Sequence, residues 1–243
     1  MKTTILLFGL ACLSAHGQDS ASARMLDTKL NVAQRNNACY ELRGSGAPET
    51  IAALARALEV SEVRACAARN LREADAVVEL KAALMASDPD MRAAAARELG
   101  ALGRLDLIEP LAQAALDPNL IVATNALEGL SQYQDPGVLP ALLSLAEGGG
   151  PVAAMALSRA VEFNDSGVLT VARKLMATRD VTLRLAALRA IGDFGDAADL
   201  PALRELAARA ERAAPSGRGF GLVPAIDLSR AAQNAIRQIE SRK

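Results

Sequence analysis

The sequence predicts an all-α fold, a solenoid of about six stacked helix pairs. Three observations carry the prediction. First, a turn-and-helix unit, clearest in residues 87–102, recurs along the chain. Second, three residue types share one period. Pro110, Pro140 and Pro201 lie 30 and 61 residues apart, with Thr170 at the missing interval. Leu127, Leu157 and Leu188 lie 30 and 31 apart, as do Tyr133, Phe163 and Phe194. Third, the 243 residues are 51% hydrophobic but only 2% aromatic, with no Trp. That apolar content is largely Ala and Leu, as in closely packed helices. No sustained period-2 alternation argues for a sheet.

Residues 1–17 read as a secretory signal: Lys2, an apolar run from Ile5 to Leu13, then Ala15 and Gly17 before a cut. The run is short for a membrane span, so none is expected in the mature chain. Cys12 is an alternative lipidation site, although Gly9 stands where bacterial lipoprotein signals usually carry Leu. Cleavage removes Lys2 and His16, giving a mature formal charge of 26 − 28 = −2. The expected location is periplasmic or secreted.

Residues 18–47 read as a linker and an N-terminal capping helix. Leu26, Leu30, Ala33, Ala38 and Leu42 make Arg24 to Arg43 one helical stretch. The repeat array spans 48–241, with pairs at 48–74, 75–104, 105–134, 135–164, 165–195 and 197–241. In the second pair, a helix from Asp75 to Ala86 carries Val77, Leu80 and Leu84 on one face. Asp88 then caps the next helix, because its carboxylate accepts a free first-turn N–H. Pro89 sits at the first helical position, where a missing N–H costs nothing. Met91, Ala95, Leu99 and Leu102 form one face, and Gly100 and Gly103 are stop signals. Such a pair cannot bury both its apolar stripes alone and needs neighbouring pairs. The last pair contains an insertion, 212–222, in which Arg218 and Phe220 stand between Gly217, Gly219 and Gly221. It reads as a surface insertion or as a loop that touches a partner.

The pattern resembles a HEAT-repeat protein, specifically the short-repeat kind also found in phycobilisome lyases. The resemblance rests on Asp88-Pro89 with Met91-Arg92, on Glu62-Val63-Arg64, on Asp180 with Leu183-Arg184, and on Ala-rich second helices. It implies a right-handed α-α superhelix whose second helices line the concave face. It also implies an Asp–Arg ladder between repeats, with Asp88, Asp117 and Asp180 at the Asp position and Arg64, Arg92 and Arg184 at the Arg position. The copies at 117–130 and 150–163 lack the Arg, so the ladder is expected to break there.

A formal net charge of −1 gives no field that favours nucleic acid. His16 is the only histidine, so the mature chain lacks His-activated nucleophiles and His metal ligands. Asp193, Asp196 and Asp199 read as turn and cap residues. Tyr133, Phe163 and Phe194 read as seam fillers, not as a stacking ladder. No catalytic residue, metal or cofactor is therefore expected. The expected function is a non-enzymatic scaffold that binds another protein on its concave face. The alternatives are a structural module of an envelope assembly and a non-catalytic enzyme subunit.

Aligning Leu71, Leu99 and Leu127 puts Arg69, Arg97 and Asn125 in one column. It lies about 200° around each second helix from the core leucine. The column is a candidate contact for an acidic partner segment, against the plainer reading of a solvated ladder. Cys39 and Cys66 are a candidate disulfide, since export favours oxidation. Adjacent helix axes lie about 8–10 Å apart, whereas a disulfide needs Cα atoms within about 7 Å. The bond therefore closes only if both side chains enter the seam.

Overall fold

The computed structural model describes residues 21–208 and 227–242. The 1–17 segment, with Cys12 and His16, and the 212–222 insertion, with Arg218 and Phe220, lie outside the described residues. Among the described residues the regular elements are all helices, arranged as the pairs of an α-α solenoid. The chain divides into two compact units, residues 1–114 and 115–243.

The first unit opens with helical residues 21–26, then α1 (Val32–Glu41). The single stretch expected over Arg24–Arg43 is broken here. Asp27 accepts the Lys29 N–H, and Asn31 caps α1 in a reciprocal capping box with Gln34. Short polar side chains that bond nearby backbone favour such a break. The pairs α2 (Pro48–Ala57) with α3 (Ser61–Glu73) and α4 (Val77–Ala83) with α5 (Pro89–Gly100) follow. A 3-10 turn, Leu105–Leu107, leads into α6 (Ile108–Ala114). Helix α4 begins later than Asp75 because that residue takes φ 51°, a left-handed turn that Asp tolerates. Asp88 caps α5 by accepting the Asp90 N–H, with Pro89 at its first position.

Within this unit α1 packs on α3 and α3 on α5. Cys39 faces Cys66 and Arg43 faces Glu73, so α1 and α3 run parallel. Arg64 against Asp88 and Arg72 against Glu98 give the same sense for α3 and α5. Leu54, Leu71, Leu80 and Leu99 are fully buried, and Ala93 to Ala96 are all buried. Small side chains on both sides of a seam let helices approach closely while keeping interior density.

The second unit holds α7 (Leu120–Ser131), the 3-10 turn Pro136–Val138, α8 (Leu139–Gly148), α9 (Ala153–Val161), α10 (Ser166–Leu175), α11 (Val181–Phe194), α12 (Leu200–Ala208) and α13 (Leu228–Ser241). The residue that caps α7 is Asn119, which accepts the Ile121 and Val122 N–H groups. Asp117, expected at the cap position, instead accepts the Asn119 N–H two residues earlier. Asp180 caps α11 as expected. Helix α9 packs on α8 and α11, and α11 packs on α13. Gly192 permits the last contact: a Cβ there would lie 3.3 Å from the Ala235 Cα and 2.1 Å from Gln238 Oε1.

A second helix also reaches the C-terminal carbonyls of the second helix before it. Asn70 Nδ2 donates to the Cys39 carbonyl at 2.7 Å. Arg159 Nη2 donates to the Tyr133 carbonyl at 3.2 Å. Arg242 donates to the Gly192 and Gly195 carbonyls at 2.6 and 2.8 Å. The Cys39 carbonyl also accepts the Leu42 N–H of its own helix end, and a donor at a helix C-terminus offsets the negative end of the dipole.

Candidate functional site

Arg69 and Arg97 are exposed on α3 and α5, the second helices of the first unit. They differ in environment. Arg69 lies close enough to Glu73 to help hold that carboxyl below its ordinary pKa, after the larger effect of the Arg43 hydrogen bond. Arg97 Nε lies 3.4 Å from Glu98 Oε1, and Arg72 Nε lies 2.9 Å from Glu98 Oε2. Glu98 is buried, so Arg97 helps to neutralise a carboxylate that is costly to bury unpaired. Asn125 is half-buried on α7 of the second unit.

The Asp–Arg ladder is present where Arg64 meets Asp88. Arg64 also donates from Nε to the Leu58 carbonyl at 2.6 Å, closing its own hairpin. Arg35 and Arg92 make the equivalent backbone contacts, to the Met25 carbonyl and to the Ala86 and Ser87 carbonyls. The corresponding positions after Asn119 and Val152 hold Ala123 and Ala156, both fully buried. An apolar contact therefore replaces the guanidinium in those copies.

Cys39 and Cys66 are paired, with Cα atoms 6.3 Å apart. Both side chains enter the α1–α3 seam, where Cys39 is 0% and Cys66 6% exposed. Tyr133 is buried, and Arg159 stacks 5.5 Å from the Phe163 ring centroid. Asp196 and Asp199 accept backbone N–H groups within their own turn. Asp199 also takes a bidentate pair from Arg173, at 2.8 and 2.9 Å. That hydrogen bonding, more than any other influence, holds its carboxyl below the ordinary value.

The concave surface that sequence reasoning did not find lies in the second unit. A groove of about 460 Å³ crosses α7, α9 and α11. Its apolar lining includes Leu127, Met155 and Leu185, and Met155 is 49% exposed. Glu128 stands on the α7 side and Arg189 on the α11 side; neither forms an ion pair among the described residues. Helix α9 has 9 residues, against 12 in α7 and 14 in α11. It lines the groove with the short side chains of Ala154 and Ser158 and the long ones of Met155 and Arg159. A second groove, about 290 Å³, continues between α11 and α13 and shares Leu185 and Arg189. The sequence carried one signal of this place: the copy at 150–163 departs from the repeat pattern. Among the described residues no three His, Cys, Asp or Glu side chains converge as metal ligands would, and no helix is long and apolar enough to cross a membrane.

Paired helices stacked in this way define an α-solenoid repeat protein. Residues 77–154 match the family model for HEAT repeats. No curated protein matches the chain. Two solved structures resemble it at 19% identity. Human deoxyhypusine hydroxylase in complex with glycerol covers 94% of this chain and 98% of its own, with a TM-score of 0.42. An engineered protein covers 92% and 96%, with a TM-score of 0.28. HEAT repeats are commonly scaffolds for protein interaction, because an array of second helices offers a long surface instead of a closed pocket.

Proposed function

We propose that the protein is an exported, non-catalytic HEAT-repeat scaffold that binds another protein through the exposed face of its second helices. The observation that carries this reading is the open groove across α7, α9 and α11, with half-exposed Met155 among charged residues. A large apolar side chain held at a polar-rimmed concavity is the usual anatomy of a protein contact. Arg69 on α3 extends the same kind of face in the first unit. Export is supported by the pattern of residues 1–17 and by the Cys39–Cys66 pair, which belongs to oxidising compartments.

The test is purification of the full chain from its native compartment, with the variants Met155→Glu and Arg69→Glu. Arg97→Gln is preferable to Arg97→Glu, which would set two carboxylates side by side at buried Glu98. A stoichiometric partner retained by wild type and lost in a variant with unchanged thermal melting supports the scaffold. A partner retained by every variant moves the interface off this face. Intact mass should show a chain starting at Gln18; a mass that keeps residues 1–17 overturns export.

A further inference from the structure

We infer that the two joined grooves of the second unit take an acidic segment of a partner protein, one that places an apolar side chain beside Met155 and a carboxylate between Arg189 and Arg230. This rests on the scaffold reading and goes beyond it by naming the occupant. Three observations lead to it. Arg189 belongs to both grooves, so the apolar lining of the first continues into the second, which holds Arg189 and Arg230 with Asp227 as its one carboxylate. Arg189 and Arg230 are exposed, and neither forms an ion pair among the described residues. Other arginines, by contrast, are committed to carboxylates: Arg43 to Glu73, Arg104 to Asp75 and Asp106, Arg173 to Asp199, Arg204 to Glu240. Arg56, Arg69 and Arg179 resemble Arg189 in having no such pair among the described residues, but none of them lines either groove.

The third observation is the position of Arg230. It is the third residue of α13, and its N–H is capped by Asp227. A cation in the first turn opposes the helix dipole, and the capping-box pattern favours Glu at that place. Helix stability alone does not ask for Arg there, whereas a carboxylate ligand does. A guanidinium binds carboxylate through two parallel donors, and Asn234 on the same groove adds an amide. Glu128 lines the other end, where Glu162 is already paired with Arg159, and Asp227 lines the second groove. Glu128 and Asp227 would repel a continuous polyanion, so the occupant carries its negative charge at one point only. That excludes nucleic acid and fits a protein segment with an apolar anchor.

The experiment pans a random peptide library on the full chain and measures binding of the enriched peptides to wild type and to the double variant Arg189→Gln, Arg230→Glu. Enriched peptides should combine an aliphatic or aromatic residue with Asp or Glu. They should bind the double variant at least about tenfold more weakly, as expected on losing two charge-assisted contacts. Their affinity should also fall with added salt. Thermal melting of the variant should not fall, since Glu suits the third position of α13. If the double variant does not fold, Arg230→Gln alone replaces it, with salt dependence as the second readout. Enriched peptides without acidic residues, or bound equally by the variant, overturn the inference; loss of such peptides in Arg69→Glu would leave the scaffold standing with its contact elsewhere. Equal competition by single-stranded DNA overturns the choice of a protein segment. No enrichment at all overturns both the inference and the scaffold reading.

Discussion

At Arg64 one guanidinium closes its own hairpin through the Leu58 carbonyl and reaches the next repeat at Asp88. Asp88 in turn caps α5, so helix start and repeat seam depend on the same carboxylate. The pair Arg173–Asp199 carries a pH dependence of its own. The folded-state pKa of Asp199 lies below its unfolded value of about 3.9. Ionised Asp199 thus adds stability above that value, and the contribution is lost as pH falls through the folded pKa. Arg173 is 43% exposed, so solvent screens the pair and the effect is modest. Asp199→Asn should lower the melting temperature at pH 7, and the gap to wild type should narrow below about pH 4. A gap that stays constant down to pH 2.5 would show that Asp199 acts through neutral hydrogen bonding alone.

At the scale of the helix, the caps explain what was readable. Asp88-Pro89 and Asp180 announce α5 and α11, and both helices start there. The later start of α4 was not readable, because the left-handed turn at Asp75 leaves no mark beyond a residue that tolerates it. The groove was hidden for a different reason: its lining comes from α7, α9 and α11 together, a relation among three elements. Arg189 and Arg230 are 230 − 189 = 41 residues apart, across the insertion, so a period near 30 does not align them. The disulfide turned on side-chain direction within one seam, which alignment of leucines does not give. Cys39 and Cys66 enclose 27 residues of sequence separation, a loop worth about 3.5 kcal/mol in the chain-entropy account. Cys39→Ala with Cys66→Ala should therefore lower unfolding free energy by up to that amount. Thiol titration of the denatured, unreduced wild type should find neither cysteine free; two free thiols would remove the bond.

For the whole molecule, period and composition sufficed to read an all-α array, because each repeat must solve the same burial problem. Division into two compact units was not written in the period, which runs through residue 114 without interruption. In a stacked array, stability is local to a repeat and its neighbours. Leu71 lies in the first unit and Leu157 in the second, and both are fully buried. Truncating either to Ala should cost about 2–5 kcal/mol. Hydrogen exchange should show the loss within the unit that holds the change. Leu71→Ala should speed exchange within residues 32–114, and Leu157→Ala beyond residue 120. Uniform acceleration in both variants would mean that the chain unfolds as one block.

The carbonyl contacts between successive second helices bear on how such a chain can evolve. At one joint the donor is an amide, at another a guanidinium in the last turn of a helix, and at the last a guanidinium just past a helix end. At these three joints each copy is therefore matched to the copy before it. Duplicating, deleting or shuffling a whole repeat would bring a different donor, or none, to such a carbonyl and lose that contact. Although its copies share one pattern, these joints are keyed, each by a donor of its own.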